Sequence, residues 1–463
     1  MPLPAAAPVG AARRFRPPRR AGFRRPPAHP VRRIPLAFLA AIVVGAGLLA
    51  TPAARTDPGD FDVMPALFTA VSAVCVTGLA TVDTATYWTG FGQVVILALI
   101  QAGGFGIMTL ATMAASAVGA RLGLRSRLVA QTESRSTGIG EVAVVVRRVL
   151  VVSVTVEAVV AVVLACRFAF GYGYDWPTAW WHGVFHSVSA FNNAGFALYG
   201  DSLTRFATDP WVTLPIGAAV ILGGLGFPVV AALWAWRRRS PGLHARMSLW
   251  GTAVLLLVGF VTYLGFEWDN PATLGGLAWW DKAQLAWFSG LVPRTAGFNA
   301  LPVGELTSET LLVTDVLMLV GGAPAGTAGG LKVTTVMLLG AVIWSELRGR
   351  PDVSVFRRSI GAATQRQALT VVLSGVAVVG VTTLALSVST PYDFEAVSFE
   401  AVSAFATVGL STGITPELSA VAQVVLMVAM FLGRVGTVVV ATALVLRARR
   451  TRYRFPEESL SVG

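Results

Sequence analysis

The chain has 463 residues, of which 54% are hydrophobic and only 13% charged, with a mean hydropathy of +0.67. A soluble domain carries about 25% charged residues, so the composition excludes an ordinary soluble protein and points to one that crosses the lipid bilayer repeatedly. The net charge of +12 does not mark a nucleic-acid binder, because its cations are segregated along the chain. They cluster at Arg13–Arg33, Arg121–Arg127, Arg147–Arg148, Arg237–Arg239, Arg348–Arg358 and Arg447–Arg454, while Asp57, Asp60, Asp62, Asp83, Asp201, Asp209, Glu305 and Glu309 fall in the alternate loops. That alternation follows the positive-inside rule and places both termini in the cytoplasm.

In chain order, residues 1–33 read as a disordered, basic cytoplasmic tail. The first apolar run, Ile34–Ala50, ends in "GAGLLATPAA", which has the look of a cleaved secretory signal. Its length, and the helix that the following segment needs in front of it, favour a retained first span. Further spans are expected around Val149–Cys166, Leu249–Phe266, Ala368–Val388 and Val421–Leu446. Trp176, Trp180, Trp181, Trp211, Trp268, Trp279 and Trp280 lie near the outer ends, as an aromatic belt would.

Between the spans a short pattern recurs. "SAVCVTGLATVD" (Ser72–Asp83), "SAFNNAGFALYG" (Ser189–Gly200), "SGLVPRTAGFNA" (Ser289–Ala300) and "SAFATVGLSTG" (Ser403–Gly413) each run from a serine through an apolar stretch to Gly78, Gly195, Gly297 or Gly409. Each follows a segment too short to span a membrane: Pro65–Val76, Trp180–Asn192, Asp281–Val292 and Glu395–Ala406. Such segments suit re-entrant pore helices. A second landmark, "QAGGFGIM", "ILGGLGFP", "LVGGAPAG" and "FLGRVGTV", brings Gly103, Gly223, Gly321 and Gly433 into register about 24 to 28 residues later, internal self-similarity of the kind that marks a repeat protein.

The expected fold is an all-α membrane protein with eight transmembrane helices plus four re-entrant pore helices. Repeats are expected at 34–120, 140–239, 245–348 and 362–450, followed by a cytoplasmic tail at 451–463. Two crossings per unit give all four repeats the same orientation, so they can surround a single pseudo-fourfold pore. A solute symporter with broken helices is the competing reading, but it predicts inverted repeats. An enzyme would need a cluster of catalytic groups, which the sequence lacks.

A bare turn at membrane depth must line water or be buried in protein. Four around one axis offer rings of carbonyl oxygens that can replace the hydration shell of a monovalent cation. The candidate filter is Val76, Thr77 and Gly78; Asn193, Ala194 and Gly195; Thr295, Ala296 and Gly297; Thr407, Val408 and Gly409. Cys75 and Cys166 have no disulfide or metal spacing. His182 and His186 stand one turn apart, which would suit a metal, but a helix face in contact with headgroups is the favoured reading.

The four turns, "QAGGFGIMT" (Gln101–Thr109), "PRTAGFN" (Pro293–Asn299), "GGAPAGTAGGLK" (Gly321–Lys332) and "GRVGT" (Gly433–Thr437) together make the chain resemble the Trk/Ktr/HKT superfamily of potassium transporters along nearly its whole length after Arg33. With eight visible spans it is most similar to the Ktr-type membrane subunit. The resemblance implies a homodimer in the bacterial cell membrane, with potassium bound at the filter residues and carried as the transported ion. It also implies no covalent cofactor, and a cytoplasmic RCK-type (KtrA/TrkA-like) ring that binds the regulatory nucleotide. The chain itself has no GxxxxGK[ST] phosphate-binding loop. In the superfamily a serine at the first filter glycine goes with sodium permeation, so Gly78 implies a preference for potassium.

Five glycines and a proline in "GGAPAGTAGG" (Gly321–Gly330) argue against a continuous helix there. The resemblance implies an intramembrane gating loop at this point, drawing on Gly321, Gly322, Thr327, Gly329, Gly330 and Lys332. Ala323 and Gly326 stand where the superfamily often has hydroxyls, which leaves Thr327 as the main side-chain donor. Arg434 takes the register position of Gly104, Gly224 and Gly322. Two readings are open for it: a cation facing the pathway, which the resemblance also implies, or a partner of a buried carboxylate such as Glu157. Arg294 is expected to pair with an outer acid such as Asp281 or Glu395.

Overall fold

The computed structural model describes residues 30–57, 59, 62–119, 139–236 and 240–436. Residues 1–29 of the expected amino-terminal tail, the basic segments 121–127, 237–239 and 447–454, and the tail 451–463 lie outside the described residues.

The described chain is almost entirely helical. Taken by the four segments expected as repeats, the first holds α1 (Pro30–Leu49), α2 (Val63–Cys75), the single turn α3 (Thr84–Tyr87) and α4 (Gly90–Gly119). The second holds α5 (Ile139–Tyr172), α6 (Trp176–Asn192), α7 (Pro210–Leu225) and α8 (Phe227–Trp234). The third holds α9 (Leu243–Phe266), α10 (Trp279–Leu291), α11 (Ser308–Leu319) and α12 (Val333–Leu347). The fourth holds α13 (Ala362–Ser389), α14 (Phe394–Ala406) and α15 (Ala420–Phe431), which continues into a π-helical turn, Leu432–Gly436. Aspartates cap several starts: Asp62 accepts from Met64 N, Asp175 from Thr178 N and Asp209 from Trp211 N, satisfying N–H groups that a helix cannot satisfy itself.

Four helices among the described residues are long and apolar enough to cross a membrane: Gly90–Thr109, Val146–Tyr172, Leu243–Phe266 and Ala362–Ser389. Their outward faces carry exposed apolar side chains such as Leu257 and Val261 on α9 and Leu384 and Val388 on α13, a surface suited to lipid. The other apolar helices are shorter or interrupted. The second helix of repeat 2 bends by 101° between Leu225 and Phe227. Gly226 makes the corner at φ +74, and Pro228 opens the next helix. In repeat 3 the helix stops at Leu319 and resumes at Val333.

Two buried clusters tie the repeats together. One joins repeats 2 and 3 through Phe168, Phe191, Phe206, Phe288 and Phe298. The other joins repeats 1 and 4 through Phe68, Ile96, Val397 and Leu426, and takes in Phe185 and Phe196 from repeat 2. Lipid tails are as apolar as these side chains, so close packing rather than water exclusion holds such helices together.

Just past the end of α9, the buried Glu267 staples the loops between α9 and α11. It accepts from Thr273 Oγ1 and Asn270 Nδ2 at 2.7 Å each, and from Thr307 N at 3.0 Å at the start of α11. Burial alone would raise this carboxyl, but the bonds from Thr310, Thr273, Thr307 and Asn270 outweigh it and hold it below the ordinary range. A depressed folded value means that its stabilisation is complete above the ordinary carboxylate pKa of about 4.3 and is lost as pH falls through the lower folded value. Glu267→Gln should therefore lose about 2 kcal/mol at neutral pH and flatten the acid side of a melting-temperature profile in detergent. An unchanged profile would show that the staple carries no stability.

Candidate ion pathway

Three of the four turns are built alike. α2, α6 and α14 end on residues in the left-handed conformation: Val76 (φ 56), Asn193 (φ 58) and Thr407 (φ 52). The N–H of the next residue reaches back to Ser72 O, Ser189 O and Ser403 O at 2.8, 2.8 and 2.9 Å. This closure ordinarily uses glycine at the left-handed position. A Val or Thr there costs about 1–2 kcal/mol, and strain of this kind persists only where the surroundings enforce it. Ser72 Oγ and Ser403 Oγ then accept from Gly78 N at 3.1 Å and Gly409 N at 3.2 Å, while Ser189 Oγ donates to Phe196 O at 2.8 Å.

The third turn departs from this pattern. Between Ser289 and Gly297 it is two residues longer than the others, through Pro293 and Arg294, so Ser289 is out of register and its hydroxyl is buried without a hydrogen bond. The left-handed residue is Thr295 (φ 70), and Ala296 N bonds Val292 O at 3.0 Å. The copies therefore align on the glycine and the left-handed residue, not on the serine.

The four glycines meet. A methyl added to Gly78 would lie 3.1 Å from the Cα of Gly195; one on Gly195, 2.7 Å from Gly297; one on Gly297, 3.3 Å from Gly409; and one on Gly409, 3.0 Å from Gly78. The chain of neighbours closes on itself in the order of the repeats. Beside each glycine lies the carbonyl oxygen preceding the next one: Ala194 O, Ala296 O, Val408 O and Thr77 O in turn. All four glycines have positive φ, between +71 and +96, which glycine adopts without penalty. The hydroxyls of Thr77, Thr295 and Thr407 and the Asn193 Nδ2 are buried without a partner among the described residues.

The second glycine landmark packs onto these turns. Added side chains at Gly103, Gly223 and Gly433 would overlap Val74 O, Phe191 O and Phe405 O, in each case the carbonyl two residues before the left-handed cap. Gly321 instead abuts Gly329 O and Thr295, because the helix of repeat 3 has stopped.

The segment between Leu319 and Val333 is anchored on three sides. Ala323 N donates to Gly224 O at 2.9 Å and Thr327 N to Gly223 O at 3.1 Å. Thr327 Oγ1 donates to Asn193 Oδ1 at 2.9 Å and Phe191 O at 3.2 Å. Lys332 Nζ donates to Ala328 O at 2.6 Å, and Gly330 turns the chain at φ +61. Gly322 packs against Ala328, and Gly329 against Thr407 and Ala406. Backbone N–H groups supply the donors that Ala323 and Gly326 lack as side chains.

Arg434, 2% exposed in its π-helical turn, donates through Nη1 to Thr327 O; its Nε and Nη2 have no partner among the described residues. The carboxylate reading is overturned, since Glu157 bonds Gln101 and Asn192 instead. Arg294 also departs from expectation. It is buried, with Nη2 donating to Thr252 Oγ1 at 3.3 Å, and forms no ion pair with Asp281 or Glu395. His182 and His186 do not present a lipid-facing pair. His186 is fully buried among Phe168, Phe185 and Tyr199, donates through Nδ1 to His182 O, and accepts from Leu198 N on Nε2. His182 bonds Tyr199 Oη. No group of three metal-ligating side chains occurs among the described residues.

The chain matches the family model for TrkH, cation transport protein, over residues 40–450. It is 37% identical to the Ktr system potassium uptake protein B of Bacillus subtilis, over 92% of this chain and 95% of that one. It is 35% identical to the protein of the same name from Vibrio alginolyticus, over 92% and 94%. The Potassium/sodium uptake protein NtpJ of Enterococcus hirae is 34% identical over 94% and 97%. The crystal structure of the potassium transporter TrkH from Vibrio parahaemolyticus shares the fold with a TM-score of 0.70 at 18% identity, covering 93% of this chain and 87% of that one. The chain belongs to the TrkH family of cation transport proteins, as a membrane subunit of the Ktr type.

The contact of Gly433 with Phe405 O can be tested against a glycine that touches nothing. Gly433→Ala is expected to cost about 3 kcal/mol through overpacking and to lower the melting temperature of the purified protein. Gly340→Ala, in open space on α12, should be neutral or stabilising by up to about 1 kcal/mol. Equal melting temperatures for the two variants would refute the packing role.

Proposed function

We propose that the chain is a potassium uptake subunit of the cell membrane, with the four glycine turns as its selectivity filter. The closed neighbour chain of Gly78, Gly195, Gly297 and Gly409 carries this reading. Ring-facing peptide oxygens can stand in for water around a monovalent cation, and the relatives named as potassium uptake proteins support potassium as the cargo. Val76, Thr77, Asn193, Ala194, Thr295, Ala296, Thr407 and Val408 complete the filter. In this reading the shorter and broken helices complete eight crossings in four like-oriented repeats, α2, α6, α10 and α14 are the pore helices, and both termini are cytoplasmic.

The segment from Gly321 to Lys332, with Thr327, Gly322, Gly329 and Gly330, acts as the gate beneath the filter. Arg434 is its latch and an electrostatic barrier. Its guanidinium is desolvated yet bonds a neutral carbonyl, so its charge is uncompensated by any acid among the described residues. The subunit works as a homodimer beneath which a separate RCK-type ring senses nucleotide, a reading supported by the absence of a phosphate-binding loop from the sequence.

Expression should restore growth of a potassium-uptake-deficient bacterium at low external potassium when a suitable regulator is supplied; failure to do so would count against the whole reading. Gly78→Ser puts a side chain at φ +96 against Gly195. It should cost about 1.5 kcal/mol of discrimination, or about tenfold in the potassium-over-sodium uptake ratio. An unchanged ratio removes the turn from the filter. Arg434→Ala should assemble normally and raise unregulated flux severalfold, and wild-type flux in that variant would strike Arg434 from the gate.

A further inference from the structure

The last turn of α6 is held from two directions. On its inner side, Phe191 O and Asn193 Oδ1 accept from Thr327 of the interrupted helix. On its outer side lies a buried polar network drawn from two other helices. Glu157 of α5, 7% exposed, takes Gln101 Nε2 of α4 on Oε1 and Oε2 at 3.1 Å each. Asn192 Nδ2 donates to Gln101 Oε1 at 2.6 Å, to Glu157 Oε1 at 3.3 Å and to Val188 O at 2.9 Å. Ser187 Oγ closes the same corner on the Glu157 backbone oxygen. Gly104 leaves the room that the Asn192 amide occupies.

The wiring fixes the chemistry required at position 157. Gln101 Oε1 is committed to the Asn192 amide, so the Gln101 NH₂ must face residue 157. Asn192 Nδ2 points there as well. Residue 157 must therefore present acceptors and no donor, which an ionised carboxylate does and an amide does not. A carboxylate in a membrane span is costly to retain and is a functional candidate by default. The group adjoins Asn192, whose neighbour Asn193 is both a filter residue and the partner of Thr327.

We propose that Glu157, wired through Gln101, is a positioning residue for the ion pathway. It sets the Asn192–Asn193 turn so that the Asn193–Gly195 carbonyls face the ring while Asn193 Oδ1 grips the gating segment. This inference rests on the potassium-pathway reading above. Neither Glu157 nor Gln101 touches the ring, so their effect travels through Asn192.

The test compares potassium uptake kinetics, per molecule of folded protein in the membrane, for the intact chain, Glu157→Gln and the exchange Gln101→Glu/Glu157→Gln. In the single variant two NH₂ groups oppose each other, so Gln101 must turn over and release Asn192. The half-saturating potassium concentration is expected to rise about tenfold with a smaller change in maximal rate, the pattern of lost ion positioning. The exchange restores every bond, because the carboxylate moved to position 101 accepts both from Asn192 and from the amide moved to position 157. It should bring half-saturation back to within about twofold of the intact chain. A single variant with unchanged kinetics per molecule, altered only in amount or melting temperature, would reduce Glu157 to a structural group. An exchange variant that fails to recover, or fails to assemble, would also overturn the proposal. Failure of the intact chain to carry potassium would instead sink the pathway reading itself.

Discussion

The structure depends on one constraint: peptide groups that leave a helix within a bilayer need partners, because lipid offers none. Each turn meets it by folding its N–H groups back onto the helix it has just left. In three copies a left-handed cap aims successive N–H groups at the serine-bearing turn behind it, and in two of them a serine hydroxyl takes the glycine N–H as well. In the first and fourth copies the N–H side is thus satisfied internally as far as the glycine. The carbonyls preceding the glycines are turned toward the neighbouring repeat. The bond pattern that makes each turn tolerable in a membrane is what leaves oxygen atoms for the ring.

Around that ring the four repeats are not equivalent, and the departures are concentrated in repeats 2, 3 and 4. Repeat 3 gives up a continuous second helix, and the freed backbone is absorbed by its neighbours: Gly223 O and Gly224 O of repeat 2 take the Thr327 and Ala323 N–H groups. Those carbonyls belong to the end of α7, where the helix bends at Gly226 and the regular helical ladder stops; Gly223 O also takes the Gly226 N–H at the corner. The break in one repeat and the bend in the next are a single hydrogen-bonding arrangement. Repeat 4 contributes Arg434 from a π-helical turn, a local widening that often marks functional positions. There the guanidinium meets the carbonyl of Thr327.

Much of this was legible in the sequence because it repeats. The short helices begin and end within a few residues of the segments chosen by length, and the two glycine landmarks fall where spacing put them. What escaped was whatever depends on which neighbour fills a given face. "ILGGLGFP" reads as helix by composition, although the Gly-Phe-Pro run is a usable sign of the corner at Gly226. The serine spacing concealed the two-residue insertion at Pro293 and Arg294, since a repeat aligned on its first residue cannot reveal where the extra length is absorbed. His182 and His186 share a helix face, but nothing in their spacing tells that Phe168 and Tyr199 cover it. Gln101 was visible only as part of a glycine motif; its bond to Glu157 joins residues 56 apart on different helices.

The same limit explains why an acid is the expected partner of Arg294 and one of two open readings for Arg434. The rule that a membrane-embedded charge needs a partner is sound, but its partner need not be a countercharge. Arg434 bonds a peptide oxygen, Lys332 bonds Ala328 O, Arg294 bonds a threonine hydroxyl, and Glu157 bonds two amides. Dipoles of this kind compensate desolvation without cancelling charge, whereas an ion pair would do both. For a pathway that carries a cation the distinction has a consequence. A neutralised arginine under the ring would be only a plug, removed by any movement of the chain around it. One held by a carbonyl of the interrupted helix keeps its field, and that field is released only when the helix segment that binds it moves. On the proposed reading, charge and gate are one element, and the choice of a neutral partner is what couples them.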